Sequence, residues 1–112
     1  MDILFKTEKV REECNNQRLM ERRYGPRGAK LLRQRLDELD AAAALADIAK
    51  LPGPRCHELK GDRKDQLAVS LEGGKRLIFE AANDPIPRKD DGGLDWTQVT
   101  AILILGVEDY HS

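Results

Sequence analysis

Several residue types are scarce in this chain of 112 residues. It has two cysteines, two histidines and one tryptophan, aromatics make up 4%, and the formal net charge is only -1. Two cysteines, Cys14 and Cys56, cannot build a disulfide framework. Cys56 stands beside His57 but lacks the second close Cys or His that a zinc site needs. The longest aliphatic run, residues 101–105, falls far short of the roughly 20 apolar residues that cross a bilayer. No membrane span is therefore expected. The opening Met1-Asp2-Ile3-Leu4-Phe5-Lys6 shows no basic segment leading into an apolar stretch, so no secretory leader is expected and the cytoplasm is the default location. No internal repeat or low-complexity tract is visible.

Charge and aliphatic residues are what the chain has in quantity. Hydrophobic residues make up 40% and charged residues 35%, with 19 basic against 20 acidic side chains. That balance belongs to a folded protein with a heavily charged surface, not to a disordered tail. At this length one domain over residues 1–112 is expected, burying roughly two-thirds of the surface its unfolded chain exposes.

The first half reads as helical and the second as sheet. After a short apolar start at residues 3–5, which suits a strand, Val10, Cys14, Met20 and Tyr24 recur at helical spacing, with a break at Asn15-Asn16. Gly25-Pro26 marks a restart, because proline suits the first turn of a helix. Ala29, Leu32, Leu36, Leu39 and Ala43 then form one apolar face, opposite Arg27, Lys30, Arg33, Arg35, Asp37, Glu38 and Asp40. Another helical turn or two at residues 45–51 ends at Pro52-Gly53-Pro54, where donors are missing and the backbone before each proline is restricted. Beyond that point Leu67, Val69 and Leu71 alternate with Ala68, Ser70 and Glu72, and Gly73-Gly74 supplies the positive backbone angles of a hairpin. The return strand is residues 75–81. A third strand at residues 99–107 is apolar on both faces and belongs centrally in the sheet.

Residues 18–35 carry seven basic side chains against Glu21 alone, a local +6 set against -7 elsewhere. This stretch is either a solvated helix face or an anion-binding surface. The 83–98 connection is long for a hairpin loop and carries Asp84, Asp90, Asp91, Asp95 and Trp96. Its acids do not follow the alternating spacing of a calcium loop.

Both histidines sit at the edges of the sheet region, in Cys56-His57-Glu58-Leu59-Lys60-Gly61-Asp62-Arg63 and Glu108-Asp109-Tyr110-His111. The expectation is that the sheet brings His57, Asp109 and His111 into one cleft, with Arg76 projecting from the strand between them. Two imidazoles can serve one reaction as base and acid, because imidazole titrates near neutrality. Lys60, Arg63 and Arg76 would place positive charge where a phosphorane-like transition state gathers negative charge. Such a set suits phosphodiester cleavage.

Leu51-Pro52-Gly53, the segment from His57 to Arg63, Lys75-Arg76-Leu77-Ile78-Phe79 and Glu108-Asp109-Tyr110-His111, in this order, resemble the HigB branch of the RelE/ParE toxin superfamily, from bacterial type II toxin-antitoxin systems. The resemblance implies an α+β fold in which N-terminal helices pack on a small, mostly antiparallel sheet of three to four strands. It implies a metal-independent, cofactor-free endoribonuclease that cuts mRNA in the ribosomal decoding site. In that reaction the ribose 2′-hydroxyl attacks the adjacent phosphate, leaving a cyclic phosphate and a free 5′-hydroxyl. Carried over by position, His57, Asp109 and His111 match the catalytic polar residues, and Lys60 and Arg76 match the phosphate-stabilising bases. Tyr110 lies in the same motif and either covers the core edge or stacks on a base. Either histidine can be base or acid, with Asp109 as orienter or base.

The implied partner is a helix-turn-helix antitoxin through which the toxin contacts operator DNA indirectly; residues 18–35 and the Trp96 loop are candidate contacts. Against the family pattern, the chain is near neutral where the toxins are basic, carries Asp65 where glycine is common, and has a longer, acidic 83–98 connection. Two other readings remain open. One is a non-enzymatic gyrase inhibitor of the ParE kind; the other is a metal-dependent nuclease with His57, Asp109 and His111 as ligands.

Overall fold

A computed structural model describes residues 1–109. Along the chain the elements are β1 (Asp2–Phe5), α1 (Glu8–Asn15), α2 (Gln17–Ala41), α3 (Leu45–Ala49), β2 (His57–Glu58), β3 (Gln66–Ser70), β4 (Lys75–Ala81) and β5 (Ala101–Asp109). The fold is α+β: the short first strand precedes the helices, and the other four strands of a mixed sheet follow them. No described helix is long and apolar enough to cross a membrane.

Local chemistry accounts for the helix boundaries. Thr7 caps α1 by accepting from the Val10 N–H at 3.1 Å, and Asn16 caps α2 by accepting from Leu19 N–H at 3.1 Å, each satisfying an otherwise orphaned donor. The restart at Gly25-Pro26 is a kink inside α2, where Gly25 adopts φ 74° and ψ 170°, a conformation open almost only to glycine. Beyond it Ala29, Leu32, Leu36 and Leu39 are buried as their spacing requires, whereas Ala43 lies past the helix end and is exposed.

The sheet has five strands in the order β1-β5-β4-β3-β2, which corrects the expected three to four. Two short segments make the difference. Residues 2–5 pair in parallel with β5, and His57–Glu58, expected just ahead of the hairpin, pair antiparallel with Ala68 and Leu67 as an edge strand. β3 and β4 form the expected hairpin, closed by a 3-10 turn in which Gly73 and Gly74 have φ 67° and 80°. β5 lies inside the sheet, between β1 and β4. It holds one irregularity, where Phe79 faces Ile104 but Ile78 faces Gly106, so Leu105 is the extra residue of a bulge.

One layer of helices covers one face of this sheet. Leu32, Leu36 and Leu39 of α2 pack with Leu67, Val69, Leu77, Phe79, Ile102 and Ile104. The charged face assigned to α2 needs one correction: Arg35 is only 6% exposed. Its place follows from helical geometry, since Gly28, Leu32, Arg35 and Leu39 form a stripe at spacings of four, three and four. Arg35 Nε donates to the Ser70 carbonyl at 2.7 Å, Nη2 to the Gly53 carbonyl at 3.1 Å, and Nη1 to Glu38 at 2.9 Å. The helix is thereby tied to the end of β3 and to the Pro-Gly-Pro turn that leads into β2.

Candidate active site

The turn before β2 decides where His57 sits. Pro54 is buried, its carbonyl accepts from Ser70 N–H at 2.7 Å, and Arg55 adopts a left-handed φ of 50°. A positive φ at arginine costs backbone energy that surrounding contacts must offset. Its consequence is local: the Arg55 carbonyl lies 2.8 Å from His57 Nδ1. A carbonyl can only accept, so Nδ1 is the nitrogen that carries a proton there, and in the neutral form of the ring the lone pair lies at Nε2. The Arg76 guanidinium donates to that Nε2 at 3.4 Å.

A groove of about 350 Å³ lies alongside, lined by His57, Glu58, Leu59, Lys60, Arg63 and Arg76. Lys60 is exposed at its rim. Glu58 accepts from Trp96 Nε1–H at 3.0 Å, which anchors the two-residue edge strand to the 83–98 connection. Arg63 crosses to Glu108 in a two-pronged contact, Nη1 to Oε1 at 2.7 Å and Nη2 to Oε2 at 2.5 Å, while its Nε donates to Gln66 at 2.9 Å. That guanidinium holds the Glu108 carboxyl below the ordinary carboxylate range. Arg63 is thus engaged with an internal partner, and Lys60 and Arg76 line the same groove.

Asp65 and the long 83–98 connection meet in space. Asp65 has φ 70°, so glycine would sit comfortably there, and aspartate is among the residues that best tolerate the left-handed region. Its carboxylate takes both prongs of Arg88, each at 2.7 Å. Arg88 belongs to the long 83–98 connection, so that connection braces the loop carrying Lys60 and Arg63. Two of the connection's acids are engaged close by: Asp91 accepts from Gly93 N–H at 2.8 Å, and Asp95 from the Thr97 hydroxyl at 2.6 Å.

The expected single cleft forms only in part. His57, Lys60, Arg63 and Arg76 share one groove. Asp109 is not among its lining residues; it stands opposite Lys75, whose Nζ is 4.0 Å from Asp109 Oδ2. Register places this pair on the face of the sheet that carries Leu77 and Val107, whereas His57 is level with Ala68 and Ile78 on the other. Three strand spacings, about 14 Å in all, also separate β2 from β5. Tyr110 and His111 lie outside the described residues. Among the described residues, no group of three or more His, Cys, Asp or Glu side chains is placed to hold a metal ion.

The basic stretch at residues 18–35 is largely answered by acids. Arg23 pairs with Glu13, Arg27 with Glu72, Arg33 with Asp37 and Arg35 with Glu38. Sequence reasoning missed the roles of Arg35, the Arg55 carbonyl and Glu108, and that Trp96 anchors Glu58. Arg35 could have been found from its place in the apolar stripe. Glu108 contacts a residue 45 positions away, and no local pattern signals that. No family model matches the chain, and no curated protein matches it either.

Proposed function

We propose that this protein is an RNA-cleaving toxin of the RelE/ParE kind, acting on mRNA at the ribosome and held in check by a partner antitoxin. The observation that carries the reading is the His57–Arg76 pair: an imidazole fixed through Nδ1, with its basic Nε2 turned toward a guanidinium in a groove that also contains Lys60. In this reading a phosphate of the RNA binds between Arg76 and Lys60. Nε2 of His57 removes the proton of the ribose 2′-hydroxyl. The resulting oxygen attacks the adjacent phosphorus, the bond to the 5′-oxygen breaks, and that oxygen leaves with a proton supplied by an acid, for which this reading takes the second histidine of the motifs, His111. The products are a 2′,3′-cyclic phosphate and a 5′-hydroxyl. Arg76 offsets charge on the phosphate oxygens as the transition state forms.

Inducible expression followed by mapping of RNA 5′ ends tests this. New 5′-hydroxyl ends within mRNA are expected with the wild-type protein. His57→Ala and His111→Ala should each lower cleavage by about 10²- to 10⁴-fold, the usual value of a general acid or base. Arg76→Ala should lower it by about 10²-fold or more. Cleavage is expected to continue in EDTA. Intact transcripts together with DNA damage would replace this reading with gyrase poisoning, and full activity in folded His57→Ala protein would end it.

A further inference from the structure

We infer that Arg35, which does not line the groove, is a positioning residue for the His57–Arg76 pair: its clamp on the backbone holds His57 in the tautomer with a bare Nε2 and keeps that nitrogen level with Arg76. The buried guanidinium and the turn before β2 form a closed ring of bonds. Nε donates to the Ser70 carbonyl at 2.7 Å and Nη2 to the Gly53 carbonyl at 3.1 Å, while Ser70 N–H donates to the Pro54 carbonyl at 2.7 Å. Nη1, bonded to Glu38 at 2.9 Å, stops the fork from rotating. Proline has no N–H, so Pro52-Gly53-Pro54 has a single backbone donor and cannot continue the β2–β3 ladder by itself. Arg35 supplies the donor that ties this turn to α2.

Both members of the pair are tied to this ring. On one side the chain runs from Pro54 through Arg55, at a left-handed φ of 50°, and the Arg55 carbonyl meets His57 Nδ1 at 2.8 Å. On the other side Ser70 is the cross-strand partner of Arg76. The residue whose carbonyl Arg35 holds therefore also sets the level of Arg76 on its strand. An arginine at positive φ stays there only while its surroundings hold it. With the clamp loosened, Arg55 relaxes toward extended backbone and its carbonyl turns away from Nδ1. The ring then takes the tautomer that an unrestrained neutral histidine favours, with the proton on Nε2, and no lone pair faces Arg76. Lysine at position 35 has a point charge in place of a planar fork and cannot hold both carbonyls in this geometry. The effect on cleavage rests on the nuclease reading; the tautomer does not, and it can be read without RNA.

Two-bond proton–nitrogen spectra of the imidazoles in the full chain, at about pH 8.5 where ordinary imidazole is neutral, report the tautomer, and loss of signals in His57→Gln identifies those of His57. Wild type should show the proton on Nδ1. Arg35→Lys, kept folded at low temperature with trimethylamine oxide, should move most of the ring population to the Nε2–H form. If about one ring in five then remains competent, RNA cleavage should fall about fivefold. Adding Arg55→Gly to Arg35→Lys should restore the Nδ1–H form, because glycine takes a positive φ without strain, while the urea midpoint stays low. Leu39→Ala, a core truncation on the same helix stripe, should lower the midpoint and leave the tautomer as in wild type. An unchanged tautomer in Arg35→Lys, or an equal change in Leu39→Ala, would overturn the proposal whether or not the protein cuts RNA. A tautomer that follows Arg35 in a protein that cuts no RNA would uphold it and end the nuclease reading instead.

Discussion

Replacing Arg35 by alanine should destabilise the protein more than any single surface change. The side chain is 8% exposed and delivers charge-assisted hydrogen bonds to two backbone carbonyls and to Glu38, which is 23% exposed. A hydrogen bond to a charged group contributes about 1.5–3 kcal/mol net, and removing one partner of a buried pair costs about 3–5 kcal/mol. Glu38 can turn partly to solvent, so the two carbonyls should dominate, and a loss of about 3–5 kcal/mol is expected. Arg35→Met should recover little, since methionine fills the space of the stem but leaves both carbonyls without a donor. Arg35→Lys keeps the charge without the fork and should fall between wild type and alanine. Urea unfolding followed by circular dichroism and by the fluorescence of Trp96 measures the effect. With a slope of about 2 kcal/mol per molar urea, the Arg35→Ala midpoint should fall by about 2 M. A shift below about 0.3 M, or a lysine variant no better than alanine, would refute the assignment of these bonds as a structural clamp.

Other perturbations have equally definite outcomes. Gly25→Ala forces a side chain into φ 74°, ψ 170° and should cost about 1–3 kcal/mol in a thermal melt; a variant as stable as wild type would mean the kink is not required. Arg63 and Arg88 hold the carboxyls of Glu108 and Asp65 below their ordinary values. The stabilisation from these pairs is therefore fully present above the unfolded carboxylate range and is lost as pH falls through the depressed folded values. Urea midpoints of wild type and a Glu108→Gln, Asp65→Asn double variant should differ at pH 7 and converge toward pH 3. Burial pushes the Cys14 thiol up to about 11 and the Cys56 thiol up to about 12, so both should resist iodoacetamide at pH 8 in the folded protein and react once it is unfolded. Rapid alkylation of native protein at buried Cys14, or alkylation of half-buried Cys56 as fast as in unfolded protein, would contradict this.

Most of the architecture was legible in the sequence because it rests on short-range physics. Helical spacing located Ala29, Leu32, Leu36 and Leu39 on a buried face, Asn15-Asn16 and Gly25-Pro26 marked where helices break, and alternation with Gly73-Gly74 located the β3–β4 hairpin. The short strands were harder to read. Two residues at His57–Glu58 have no period, and although the apolar start at residues 3–5 suits a strand, its parallel pairing with β5, about 100 positions away, has no local signal. The candidate site was legible as a set of residue types and only partly as a place. His57, Lys60, Arg63 and Arg76 gather as expected, whereas Asp109 falls on the other face, because strand parity and the Leu105 bulge set its direction.

What the sequence alone determined was therefore the order of helices and strands, the main apolar faces and the residues able to handle a proton or a phosphate, all of which follow from spacing and side-chain chemistry within a few positions. Tertiary structure decided how those groups are spent. It turned Arg35 inward to the Gly53 and Ser70 carbonyls, committed Arg63 to Glu108, joined Asp65 to Arg88, and aimed His57 Nε2 at Arg76. Each of these pairings spans 18 to 45 positions along the chain, and only the packing of helices and strands brings such distant residues within bonding distance.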